Sequence, residues 1–136
     1  MVSDRVTFRS SAFPVEPGED GETNPGIYGR SLASWVARQL QGRGVPVEGT
    51  IAEDFGRCVL VKRKPFMLWV GCASLDGRKD HWQMFIALER GFIGRFWGGR
   101  DAERALAQLR EHFRAMLGEI PGGSDVEWEE AVPRGA

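Results

Sequence analysis

The sequence predicts an α+β domain: a mainly antiparallel sheet with two helices packed on one face, in the order β-α-β-β-β-β-α-β. Two observations lead to this class. Between residues 45 and 97 several strand-like apolar runs follow one another across short turns, which suits hairpins and leaves no room for parallel crossovers. On either side lies a segment whose apolar residues recur at spacings of three and four, as on one face of a helix. A chain of 136 residues fits one domain, predicted over 1–130, with a tail at 131–136.

The elements read as follows. Val2, Val6 and Phe8 alternate with Ser3, Arg5, Thr7 and Arg9, the period of a half-buried strand. Phe13 to Gly26 mixes three prolines and three glycines with Glu16, Glu19, Asp20 and Glu22, and reads as an acidic loop. Tyr28, Leu32, Trp35, Val36 and Leu40 form the stripe of a first helix. Asn24-Pro25 would suit its cap and first residue, Gly26 and Gly29 favour a start nearer Gly29, and Gly42 or Gly44 would end it. Strands are predicted at Val45–Ala52, Phe55–Arg63, Phe66–Ala73 and His81–Glu89, with a bend at Glu53-Asp54 and turns at Lys64-Pro65 and Asp76-Gly77. Phe92–Trp97 is a further short run. The second helix carries Ala102, Ala105, Leu106, Leu109, Phe113, Met116 and Leu117, with Asp101 as its expected cap and Gly118 and Pro121 at its end. Val126 and Trp128, alternating with Asp125, Glu127 and Glu129, suggest a final strand.

Charge and motifs narrow the chemistry. Lys plus Arg total 18 and Asp plus Glu 19, so the net charge is −1 and no basic excess marks a general nucleic-acid binder. No apolar run reaches the roughly 18 residues of a membrane span, and Met1–Ser10 lacks the apolar core of a signal peptide. Cys58 and Cys72 sit in apolar runs and read as core thiols of a cytoplasmic protein. Cys58, Cys72, His81 and His112 have no zinc-ligand spacing, so no metal is expected. No Walker, Rossmann or nucleophile-elbow motif occurs, and no catalytic residue or cofactor is assigned.

Strand parity supplies the candidate site. Matching apolar positions places Cys58 and Leu60 beside Phe66, Leu68, Val70 and Cys72, and these beside Trp82, Met84, Ile86 and Leu88, on the face that carries the helices. The opposite face then shows Arg57, Val59, Val61, Met67, Trp69, His81, Gln83 and Phe85. An antiparallel sheet that leaves one face to water usually makes it polar. Trp69 and Phe85 are therefore the expected anchors of a protein-docking surface, with Arg57, His81 and Gln83 as polar contacts.

Three segments carry a resemblance. Asn24-Pro25-Gly26-Ile27-Tyr28-Gly29-Arg30, Glu53-Asp54-Phe55-Gly56 and Leu68-Trp69-Val70-Gly71-Cys72 resemble a family of small bacterial proteins of unknown function, over about Phe8 to Trp128. The resemblance implies a bacterial, cytosolic, single-domain protein with an aromatic residue at Phe55, and no particular activity. An alternative site is formed by Asn24, Tyr28, Arg30 and Asp54, where a helix N-terminus would favour an anionic group of a small ligand or substrate. The expected function is thus a non-enzymatic protein-interaction module. A small-molecule-binding domain or minor enzyme, and an inhibitor or immunity-type protein, are the alternatives.

Overall fold

The computed structural model describes residues 1–90 and 99–131. Its elements are β1 (Val2–Arg9), a single 3-10 turn (Glu19–Gly21), α1 (Arg30–Gly42), β2 (Gly49–Glu53), β3 (Gly56–Lys62), β4 (Met67–Ser74), β5 (His81–Glu89), α2 (Gly99–Leu117) and β6 (Ser124–Ala131). The six strands form one sheet in the order β2-β3-β4-β5-β1-β6, and every neighbouring pair is antiparallel. Strands β2 to β5 meander, β1 flanks β5, and β6 returns from α2 to close the far edge. The predicted fold class and element order are those observed. The run at 92–97 and the residues beyond Ala131 lie outside the described residues.

The core fills the space between the sheet and the helices. Val6 and Phe8 of β1, Val59 of β3, Leu68, Val70 and Cys72 of β4, and Trp82, Met84, Ile86 and Leu88 of β5 face it. Leu32, Trp35, Val36 and Leu40 of α1 and Leu109, Phe113 and Met116 of α2 pack down on them. Burying each of these large side chains contributes about 1.5–3 kcal/mol before conformational entropy is subtracted. Phe13, at the start of the acidic loop, belongs to this core. Its ring meets Phe8, Trp35 and Trp82 edge-on, with centroids 5.9–6.1 Å apart. The indole N–H of Trp82 donates to the Ser10 carbonyl at 3.0 Å, which satisfies a polar atom in an apolar layer.

The ends of α1 follow the glycines that the sequence offered, Gly29 and Gly44, while the starts of β2 and α2 differ from the sequence reading. Asn24 opens a turn, its carbonyl accepting from Ile27 N–H at 3.0 Å, and α1 begins at Arg30. Glu19, from the acidic loop, holds that helix end. Its buried carboxylate accepts from the backbone N–H groups of Gly29 and Arg30 at 3.2 Å each, and from Glu16 N–H at 2.8 Å. A carboxylate here also meets the positive end of the helix dipole. Gly44, at φ +81°, ends α1, and Val45 N–H reaches back to the Leu40 carbonyl at 2.9 Å. Val45 and Val47 pack against the core as a connector, so β2 starts at Gly49 rather than Val45. Asp101 lies inside the first turn of α2 rather than capping it.

Candidate functional site

The outer face of the sheet, opposite the helices, follows from the pairing of β3. Val59 faces Val70, Leu60 faces Trp69 and Cys58 faces Gly71. This is one residue off the register expected from the sequence. Val59 therefore belongs to the core, while Cys58 and Leu60 turn to the outer face with Trp69 and Phe85. Arg57 moves with the register, so its expected place among the outer-face contacts is corrected. It is 8% exposed on the helix side, donating through Nη1 to Glu22 Oε2 at 2.9 Å and through Nη2 to the Glu19 carbonyl at 3.2 Å. The Arg57 guanidinium, helped by Arg30, holds the Glu22 carboxyl below its ordinary range.

Trp69 and Phe85 share the outer face as expected, and Phe55 joins them. The three ring centroids lie 5.6–5.8 Å apart in pairs, Trp69 and Phe85 meeting nearly edge-to-face. Phe55 sits between β2 and β3 and is 37% exposed, Trp69 is half-buried and Phe85 is buried. Phe85 lies flat because Gly71, its cross-strand partner, has no side chain. A Cβ there would stand 2.6 and 2.7 Å from the ring's Cε atoms. His81 and Gln83 share β5 with Phe85 and point the same way, beyond the aromatic trio toward Thr7 and Arg9. They lie in a polar half of the face with Arg5, Thr7, Arg9, Glu127 and Glu129, where Arg9 pairs with Asp125 at 3.7 Å.

The apolar half contains a cleft of about 250 Å³ lined by Ile51, Phe55, Cys58, Leu60, Met67 and Trp69, with Glu53 and Glu89 also on its walls. Burial above all, and secondarily the negative charge of Glu53 and Glu89, pushes the Cys58 thiol up to about 12. Cys72, fully buried in the core, is raised by the same desolvation. Both cysteines are free, and near neutral pH both are protonated and unreactive. Iodoacetamide at pH 8 is thus expected to leave both thiols unmodified in the folded protein and to alkylate both once urea unfolds it. Mass spectrometry of the two cysteine peptides checks this, and modification of native Cys58 within minutes would contradict the environment described.

The alternative site is organised by internal bonds. Asn24 N–H donates to the Asp54 carbonyl at 2.9 Å, Ser74 N–H donates to the Tyr28 carbonyl at 2.8 Å, and Tyr28 N–H donates to Ser74 Oγ at 2.9 Å. Arg30 pairs with Glu22 at 3.4 Å, and Lys79 lies 5.9 Å from the Tyr28 ring centroid. The structure brings these segments together, but the helix N–H groups expected to receive an external anion already bind Glu19. Among the described residues no three His, Cys, Asp or Glu side chains cluster as a metal site, and no helix is long and apolar enough to cross a membrane.

Sequence reasoning missed one further cluster. Asp4, fully buried, accepts from Arg110 Nε at 2.5 Å, Ser3 Oγ at 2.8 Å and the Trp128 indole at 3.1 Å, tying β1 to α2 and β6. Its sequence signal is that Asp4 occupies the apolar phase of the Val2, Val6, Phe8 alternation.

No protein-family model, curated protein or solved structure matches the chain, so the family resemblance rests on the three quoted segments alone.

Proposed function

We propose that this chain is a non-enzymatic protein-interaction module that docks a partner's polypeptide segment on the outer sheet face. Phe55, Trp69 and Phe85 are the anchors, and His81 and Gln83 lie on the polar side of the contact. The observation that carries the reading is the trio of contacting aromatic rings on the face that carries no helix among the described residues, with Phe55 at its rim and 37% exposed. Rigid aromatics beside an apolar cleft, rimmed by polar residues, have the composition of an interface hot spot. Two free buried thiols favour a reducing compartment, and with the resemblance noted above we assign the protein to a bacterial cytosol.

Selection of a displayed random-peptide library on the folded domain tests this. Enriched peptides are expected to protect the 55–60 and 67–71 backbone from hydrogen exchange and to bind Phe55→Ala at least tenfold more weakly, as befits a hot-spot residue. Phe55 is exposed enough that its truncation leaves the fold intact, which a thermal melt verifies. Peptides that bind Phe55→Ala as tightly as the parent protein would overturn the reading.

A further inference from the structure

The outer-face cleft has a size and polarity that select among the groups a partner could insert. At about 250 Å³ it is smaller than the ~300–1,000 Å³ of pockets that enclose a whole small-molecule ligand, and matches a single side chain. Its floor and walls are Ile51, Phe55, Cys58, Leu60, Met67 and Trp69, which offer apolar surface and two aromatic rings. Its charged lining is Glu53 and Glu89, both exposed. Among the described residues neither carboxylate has an ion-pair partner, and among them no basic side chain lines the cleft. An anionic guest would meet two like charges there. A neutral aliphatic guest would leave both carboxylates unused.

We infer that this cleft receives one lysine or arginine side chain from the docked segment, with its aliphatic stem along Leu60 and Met67 and its cation between an aromatic ring and a carboxylate. Long basic side chains bury their stems on apolar surface while the charged head stays wet, and the faces of Phe55 and Trp69 attract a cation. The charge complementarity also sets partner choice. A segment with an acidic residue at this position is disfavoured, and association weakens as salt screens Glu53 and Glu89. This inference rests on the docking role of the same face.

The test uses the full chain, ¹⁵N-labelled, titrated at constant ionic strength with n-butylammonium and n-butylguanidinium, and separately with 1-pentanol and butanesulfonate. The cations are expected to give saturable shifts at the Trp69 indole N–H and the Leu60 amide. They should bind Glu53→Gln/Glu89→Gln about fivefold more weakly, the effect of losing two exposed charge contacts. Equal response to 1-pentanol, or unchanged cation binding by the double variant, would overturn it. A self-association that shifts these signals with protein concentration would assign the face to a second copy and equally reject it. The library selection separates the two levels. Peptides that depend on Phe55 but carry no essential Lys or Arg would leave the docking role standing and remove the cation. Peptides indifferent to Phe55 would remove the docking role itself.

Discussion

Replacing Arg110 with Met is expected to destabilise the domain by about 3–5 kcal/mol, because it strands a carboxylate that the fold has removed from water. Asp4 is 0% exposed, and Arg110 is its only cationic partner among the described residues. The position arises from the strand itself. Ser3 pairs with Ile86 and Val6 with Met84, so Asp4 and Arg5 of β1 together oppose Phe85 alone. This bulge, with Asp4 at φ +52°, turns the carboxylate toward α2. There Arg110 spans Asp4 and Glu130, Arg114 also pairs with Glu130 at 3.0 Å, and the Arg114 guanidinium stacks 4.7 Å from the Trp128 ring centroid. Asp4→Asn is expected to cost less, about 1–3 kcal/mol, because the guanidinium it releases is 28% exposed, can hydrate, and retains Glu130. The double variant should be more stable than the sum of the two losses predicts, since neither charge is then left behind. Urea unfolding of the four proteins measures this, with Arg110→Met also expected to lower the melting temperature by roughly 10 °C or more. A loss below about 1 kcal/mol for Arg110→Met, or one no larger than for Arg114→Met, would mean that the cluster does not hold β1, β6 and α2 together.

The same cluster shows which parts of the fold were legible in the sequence. The helices were, because a stripe such as Leu32, Trp35, Val36 and Leu40 admits one period only. The β4–β5 pairing was too, because Trp82, Met84, Ile86 and Leu88 of β5 alternate with His81, Gln83, Phe85 and Glu89, and this apolar phase meets Leu68, Val70 and Cys72 directly. Strand β3 was ambiguous. In Cys58-Val59-Leu60-Val61 both phases are apolar, so hydrophobic matching cannot choose between them. The deciding residue is Arg57, whose guanidinium finds Glu22 and the Glu19 carbonyl only on the helix side. Those partners come from a loop that reads, by composition, as mere solvated acid. Glu19 was illegible for the same reason: its role as the cap of α1 depends on a loop closing over ten residues, which no local pattern encodes. Of the site, Trp69, Phe85, His81 and Gln83 were placed on the outer face by alternation alone, while Phe55, expected to open a strand and noted as an aromatic position, was not assigned to that face; it lies in the turn between β2 and β3, where strand parity does not apply.

Gly71→Ala is expected to dismantle the aromatic trio while leaving the rest of the core in place. The added methyl carbon would overlap three carbons of the Phe85 ring, and a ring cannot yield as the end of a flexible chain does. Phe85 must therefore rotate off the sheet, losing its contacts with Trp69 and Phe55. Overpacking of this kind costs typically about 1–3 kcal/mol. The helix-side core should be spared, since Val70 and Cys72, the neighbours of Gly71 in β4, point the other way. Phe85→Ala alone should cost about 3 kcal/mol or more, as expected for truncating a buried ring. Combined, the two changes should not add, because with the ring gone the new methyl group has room. A double-mutant cycle by urea unfolding reads the coupling, and tryptophan fluorescence together with peptide binding reads the site. In Gly71→Ala protein, peptides selected on the parent should lose affinity as they do in Phe55→Ala protein, although Gly71 itself presents no side chain to a partner. Strict additivity of the two substitutions would show that Phe85 does not rest on Gly71. Undiminished peptide binding by a folded Gly71→Ala protein would show that the trio, however it is packed, is not what the partner reads.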